Sequence, residues 1–172
     1  MNTDLGFLLV RLIVGLAIAA HGAQKLFGLF GGHGIKGTAG FMESLGFRPG
    51  TLFAVASGAS ETLGGLLIIL GLGGPLGSLL VIATMIVAIF SVHLKNGFWA
   101  ANTGYELNSL YIAASIAIAF APLSALSLDG VLGLTLLHQP TVIWSGLGLG
   151  LLGGLANLAL RRAVPSVVQA AG

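Results

Sequence analysis

The chain contains no cysteine and very little charge. Without cysteine there is no disulfide, thiolate metal site, iron–sulfur cluster or thiol nucleophile. Only 7% of the 172 residues are Asp, Glu, Lys or Arg, against roughly 25% in an ordinary soluble domain. That is too little to cover a surface facing water. The basic residues are scattered, with only Arg161 and Arg162 adjacent, so no basic stripe exists for nucleic acid. A basic leader is also missing: the first charge is Asp4, and Arg11 already interrupts the first apolar run. The expectation is a retained first helix rather than a cleaved signal peptide.

What the chain has in quantity is apolar surface and glycine. Hydrophobic residues make up 56%, and there are 28 glycines. Glycine weakens a soluble helix, but in membrane helices small residues let backbones approach closely. A bilayer crossing needs roughly 20 apolar residues. Five stretches are read as spans: Leu5–Leu29, Thr51–Leu72, Leu76–Leu94, Gly104–Ala121 and Val142–Leu160. The expected fold is all-α and integral to the membrane. It is one transmembrane domain over the whole chain, a four-helix bundle (residues 5–131) plus a fifth C-terminal helix (residues 142–160).

Two connections are long. In residues 30–50, Thr38 is expected to cap a short interfacial helix through Leu45, with Phe41, Met42 and Leu45 on one face. Residues 122–139 are mostly apolar, with Asp129 and His138, and are expected to lie against the outer surface. Lys25, Lys36, Arg48, Lys95, Arg161 and Arg162 fall on one side of a five-span topology, which predicts an external N-terminus and a cytoplasmic C-terminus. In the fifth span Gly146, Gly150 and Gly154 form a small-residue ridge, read as packing within the fold in preference to a homodimer seam.

Ionisable groups inside a membrane are expensive, so they face the bundle interior and mark function or pairing. Arg11, His21, Lys25, Glu61, His93, Lys95 and Glu106 lie within or at the ends of the first four spans. His21 and Lys25 are four residues apart and share a helix face. Counting from the span ends puts Lys25, Glu61, His93, Tyr105, Glu106 and Asn108 at one level, in the cytoplasmic half. They are expected to line one pocket, with Arg11, Lys25 and His93 as candidate partners for Glu61. His33 and His138 read as surface groups.

Such a pocket suits a quinone headgroup, whose two carbonyl oxygens take up protons on reduction. Histidine and carboxylate supply those protons. Here Lys25 and His21 would anchor an oxygen or anionic group, with Arg11 and Asn108 among the binding residues. Glu61 and His93 would exchange protons, while Tyr105 and Glu106 would gate the mouth. A haem between His21 and His93 is the weaker reading, so neither haem nor metal is expected. Other readings are a non-catalytic assembly or anchor subunit of a membrane complex, and a small-solute or proton transporter.

The ordered set Arg11, Gly22-Ala23-Gln24-Lys25-Leu26, Gly40-Phe41, Gly46-Phe47, Glu61 with Gly64-Gly65 and Gly71, His93, Gly97, Tyr105-Glu106, Asn108 and Ser127-Leu128-Asp129-Gly130 resembles the DoxX family of small prokaryotic membrane proteins. The resemblance covers roughly Leu5 to Val131. It implies a four-helix unit in the plasma membrane of a prokaryote, working as a component of a quinone-linked redox system. It also implies quinone or a small electron donor as ligand and other membrane or redox subunits as partners. Arg11, Lys25, Glu61, His93 and Glu106 match the shared polar positions. The fifth span departs from that pattern.

Overall fold

The computed structural model describes residues 2–163, and those residues are helical without a strand. The helices are α1 (Asn2–Phe27), α2 (Gly34–Ser44), α3 (Gly50–Leu70), α4 (Leu76–Ala88), α5 (Glu106–Ala119), α6 (Leu128–Val131) and α7 (Pro140–Ala159). Beyond Ala88 the fourth helix widens into a π-turn over Ile89–His93 and then tightens into a 3-10 turn to Asn96.

Four helical stretches are long and apolar enough to cross a membrane: residues 3–27, 50–70, 76–96 and 140–159. Their outward residues are greasy. Ile13, Leu16, Leu52, Leu63, Leu149 and Leu152 are each more than half exposed, a pattern that suits lipid and not water. The chain is a multi-pass membrane protein. The expected fourth span is different: α5 has 14 residues, so it is about 21 Å long at 1.5 Å per residue. That falls short of the roughly 30 Å hydrocarbon core. Four full-length helices and one shorter one therefore replace the five spans of the sequence reading. Gly104 and Tyr105 are used up in the turn before α5, and Phe120 and Ala121 lie past its end.

Glycine sets the closest contact. A methyl group added at Gly15 of α1 would meet the Gly65 carbonyl oxygen of α3 at 2.7 Å, and one at Gly22 would meet that of Gly58 at 2.6 Å. With hydrogen there instead, α1 and α3 lie backbone to backbone. Ile18, Ile68, Val81 and Met85 fill the centre where α1, α3 and α4 meet. The Ser78 hydroxyl of α4 donates to the Ser115 carbonyl of α5 at 2.7 Å, satisfying a buried polar group across that seam.

The glycine ridge of α7 is used inside the fold. A Cβ at Gly150 or Gly154 would stand 2.9 Å from the carbonyl oxygens of Leu79 or Ala83 on α4. The packing reading of that ridge holds. At the end of α7 the Arg161 side chain donates to the Leu45 carbonyl, and the Arg162 N–H donates to that of Gly46 at 2.9 Å. The α7 terminus therefore sits beside the α2–α3 connection.

Both long connections differ from expectation. The α2 helix starts at Gly34, so Thr38 lies inside it and caps nothing. It is buried, and its hydroxyl donates to the Lys25 carbonyl at 3.2 Å. Met42 is buried but Phe41 is half exposed, because neighbours in a helix lie about 100° apart. Residues 122–139 do more than lie on the outer surface. They plug the end of the bundle with a fully buried Asp129.

Candidate functional site

Two polar clusters occupy opposite ends of the bundle. The first follows from the glycine seam. Close approach of α1 and α3 brings the Lys25 ammonium to 2.6 Å from Glu61 Oε1 and 2.9 Å from Ser57 Oγ. Ser57 and Glu61 are one helical turn apart, so they face Lys25 together. Glu61 is 2% exposed, and its Oε2 has no hydrogen-bond partner among the described residues. A half-satisfied buried carboxylate costs stability, and such groups concentrate at functional sites.

Lys25 is the link from this pair to a cavity of about 450 Å³. The walls come from the end of α1, the Gly31-Gly32 turn, α2, α3 and the last turns of α4. Its polar lining includes Gln24, Lys25, His33, Ser57, Ser91 and His93, while Phe41, Met42, Leu45, Phe47 and Val87 supply apolar wall. The size lies within the range of small-molecule sites, and so does the mixture of apolar wall and a few polar groups. Ser91 and His93 both belong to the π-turn, a distortion that recurs at functional positions. His93 Nδ1 lies 2.7 Å from the Thr103 carbonyl oxygen. A carbonyl only accepts, so Nδ1 carries the proton. In the neutral ring Nε2 is then a free acceptor. The ammonium of Lys25 has three N–H groups and spends two of them on Ser57 and Glu61.

The other predicted residues divide plainly. His21 is exposed, lies 3.1 Å from Gln24 Oε1 and meets Tyr111 edge-on at 6.3 Å. It shares the Lys25 face by spacing but does not line the cavity, so His21 and His93 do not face one space. Glu106 Oε2 accepts the Ala100 N–H at 2.8 Å and so braces the α4–α5 connection. Tyr105 packs edge-on against Phe98 in the same connection. Asn108 is buried and donates to Met85 Sδ at 3.4 Å. None of the three lines the cavity. The expected contribution of the fourth span is replaced by α2, which no membrane-depth count could place. His33, read as a surface group, is exposed and also contributes to the cavity wall.

Arg11 belongs to the second cluster, far from Glu61. Its guanidinium donates to the Leu126 carbonyl, while its Nε is buried without a partner among the described residues. Beside it, Asp129 accepts the N–H groups of Gly73 at 2.9 Å and Gly74 at 2.7 Å, and His138 Nε2 stands 3.0 Å from Oδ2. This carboxylate ties the α3–α4 turn to the plug. The space there is small, about 30 Å³. The sequence reading missed the pairing of buried Asp129 with partly exposed His138. A signal existed in Ser127-Leu128-Asp129-Gly130, where Ser127 accepts the Gly130 N–H as a helix cap.

Residues 6–94, rather more than half of the chain, match the family described as DoxX. The chain is also similar to a Bacillus subtilis (strain 168) protein named "Putative oxidoreductase CatD", with 32% identity over 126 residues. That alignment covers 73% of this chain and 86% of the relative. No solved structure matches. The matched segment holds Lys25, Ser57, Glu61 and His93, and it stops short of the Asp129 plug.

Proposed function

This chain belongs to the DoxX family, and from that premise we propose a membrane component of a quinone-linked redox system. Its ligand is a quinone or a small electron donor, bound in the cavity between α1, α2, α3 and α4. The observation that carries the reading is the pairing of a free His93 Nε2 with the Lys25–Glu61 pair on one apolar-walled chamber of about 450 Å³.

The residues fit a headgroup with two carbonyl oxygens. A bound quinone supplies a two-electron, two-proton acceptor. The remaining N–H of Lys25 can hold one oxygen, and His93 Nε2 can carry a proton to or from another. Glu61 holds the compensating charge behind Lys25, shielded from water, so that the ammonium is fixed in place. Cysteine is absent, so electrons come from the donor or from a partner redox subunit. The relative named as an oxidoreductase supports a redox role. The basic residues around the cavity end support a cytoplasmic position for that end in a prokaryotic plasma membrane, with the N-terminus outside.

Quinone binding to the purified protein tests this. His93→Ala and Lys25→Met are expected to weaken binding at least about tenfold, the worth of one hydrogen bond to a charged or ring group. His21→Ala, outside the cavity, is expected to leave it unchanged. Equal affinity in wild type, His93→Ala and Lys25→Met would remove the chamber from the mechanism.

A further inference from the structure

The α3 and α7 helices both pack on α4 but barely touch each other. The gap between them is a second, smaller space of about 70 Å³. Its floor is Ala83, Thr84 and Val87 of α4. One wall is Ala56 and Ser60 of α3, and the other is Gly153, Gly154 and Asn157 of α7.

Three observations set this slot apart from an ordinary crevice. It adjoins the large chamber directly, since Met42, Phe47, Ser57, Thr84 and Val87 line both. It carries no ionisable side chain, where the chamber has Lys25, His33 and His93. The Thr84 hydroxyl is spent on its own helix, donating to the Leu80 and Val81 carbonyls at 3.1 and 2.9 Å, and Ser57 is spent on Lys25. Ser60 and Asn157 are the other two polar side chains, on facing walls. Finally, it opens on the outer face of the bundle. Gly153 is exposed, and a Cβ added there would meet nothing within 4 Å. Gly154, one residue on, is packed hard against Ala83, so α7 is held in place while its neighbouring glycine leaves a doorway.

We propose that the ligand is an amphiphile with a long unbranched or isoprenoid tail, its head in the chamber and its tail leaving sideways through the α3–α7 slot into the bilayer. This rests on reading the chamber as a quinone site, and it selects the lipid-soluble ligand over a small water-soluble donor. The step from an ionisable lining at Lys25 to an uncharged one at Gly153 matches head and tail in order. A soluble donor has no use for an exit facing lipid.

The test uses full-length protein in phosphatidylcholine–phosphatidylglycerol nanodiscs. The probes are 2,3-dimethyl-1,4-naphthoquinone and the same head carrying a four-isoprene tail. Gly153→Leu fills the doorway from α7, and Ala56→Leu narrows it from α3. Gly148→Leu is the control, because Gly148 lies on the same helix, also has open space for a Cβ and does not line the slot. The expected result is at least a tenfold loss of affinity for the tailed compound in both slot variants, with the tail-less one changed less than twofold. Gly148→Leu should change neither. If His93→Ala abolishes head binding but the slot variants do not separate the two compounds, the slot proposal falls alone and the groove holds a bilayer acyl chain. If neither compound binds wild type, the quinone reading of the chamber falls, and the slot proposal with it.

Discussion

Replacing Lys25 by methionine strips Glu61 of its hydrogen-bond partner. The carboxylate is 2% exposed, and its second oxygen is already unsatisfied. Breaking a buried ion pair from one side costs about 3–5 kcal/mol, because a charge is left buried without compensation. Lys25 itself is 28% exposed, so cavity water can reach the vacated place and the lower end, about 3 kcal/mol, is expected. Glu61→Gln should cost less. The amide oxygen still accepts from Lys25, and the loss is the difference between a charged and a neutral hydrogen bond, about 1 kcal/mol. Lys25→Met combined with Glu61→Leu removes both charges and keeps the volume, so it should lie within about 1 kcal/mol of wild type. Wild type, Lys25→Met, Glu61→Leu and the combined variant form a double-mutant cycle, with an expected coupling of about 2 kcal/mol or more. Reversible unfolding in mixed micelles, followed by helical circular dichroism, reads it. A Lys25→Met loss under about 1 kcal/mol, or single effects that simply add, would refute the idea that this pair is a coupled unit.

At the far end of the bundle Asp129→Ala leaves the Gly73 and Gly74 N–H groups and His138 unpaired, which should cost about 2–3 kcal/mol. An unchanged melting temperature would mean the plug is not held by that carboxylate. The absence of cysteine makes sidedness directly measurable. A membrane-impermeant maleimide should label Lys36→Cys from the cytoplasmic side only and Leu136→Cys from the outer side only. Reversed labelling would overturn the orientation, and labelling of both from one side would overturn the number of crossings.

Most of the helical framework was legible because apolar run length is a strong signal. Glu61 was legible for the same reason, as a lone carboxylate in a greasy helix. Lys25 was one of three candidate partners for Glu61, with Arg11 and His93, and depth counting did not choose among them. Depth could not tell which way a side chain turns around its axis. His21 therefore passed for a cavity residue, and Glu106 for a gate when it braces a loop. Arg11 was misassigned for want of a partner on its own side, because Asp129 lies 118 positions later in a segment that reads as an apolar connection. The place of α2 in the cavity wall depends on tertiary packing of Thr38 and Met42. Nothing local encodes that.

The π-turn at Ile89–His93 has a further consequence. A turn of this kind accommodates one residue more than an α-turn, and each residue is worth about 100° of rotation about the axis. Were this stretch to relax into regular α-helix with no residue removed, everything beyond it would swing by about that angle. His93 would turn off the chamber and part from Thr103, with the bundle core of α4 left untouched upstream. The placing of the chamber's proton-bearing ring therefore depends on how a single turn is wound, and a change of that winding would act on it as an on–off change.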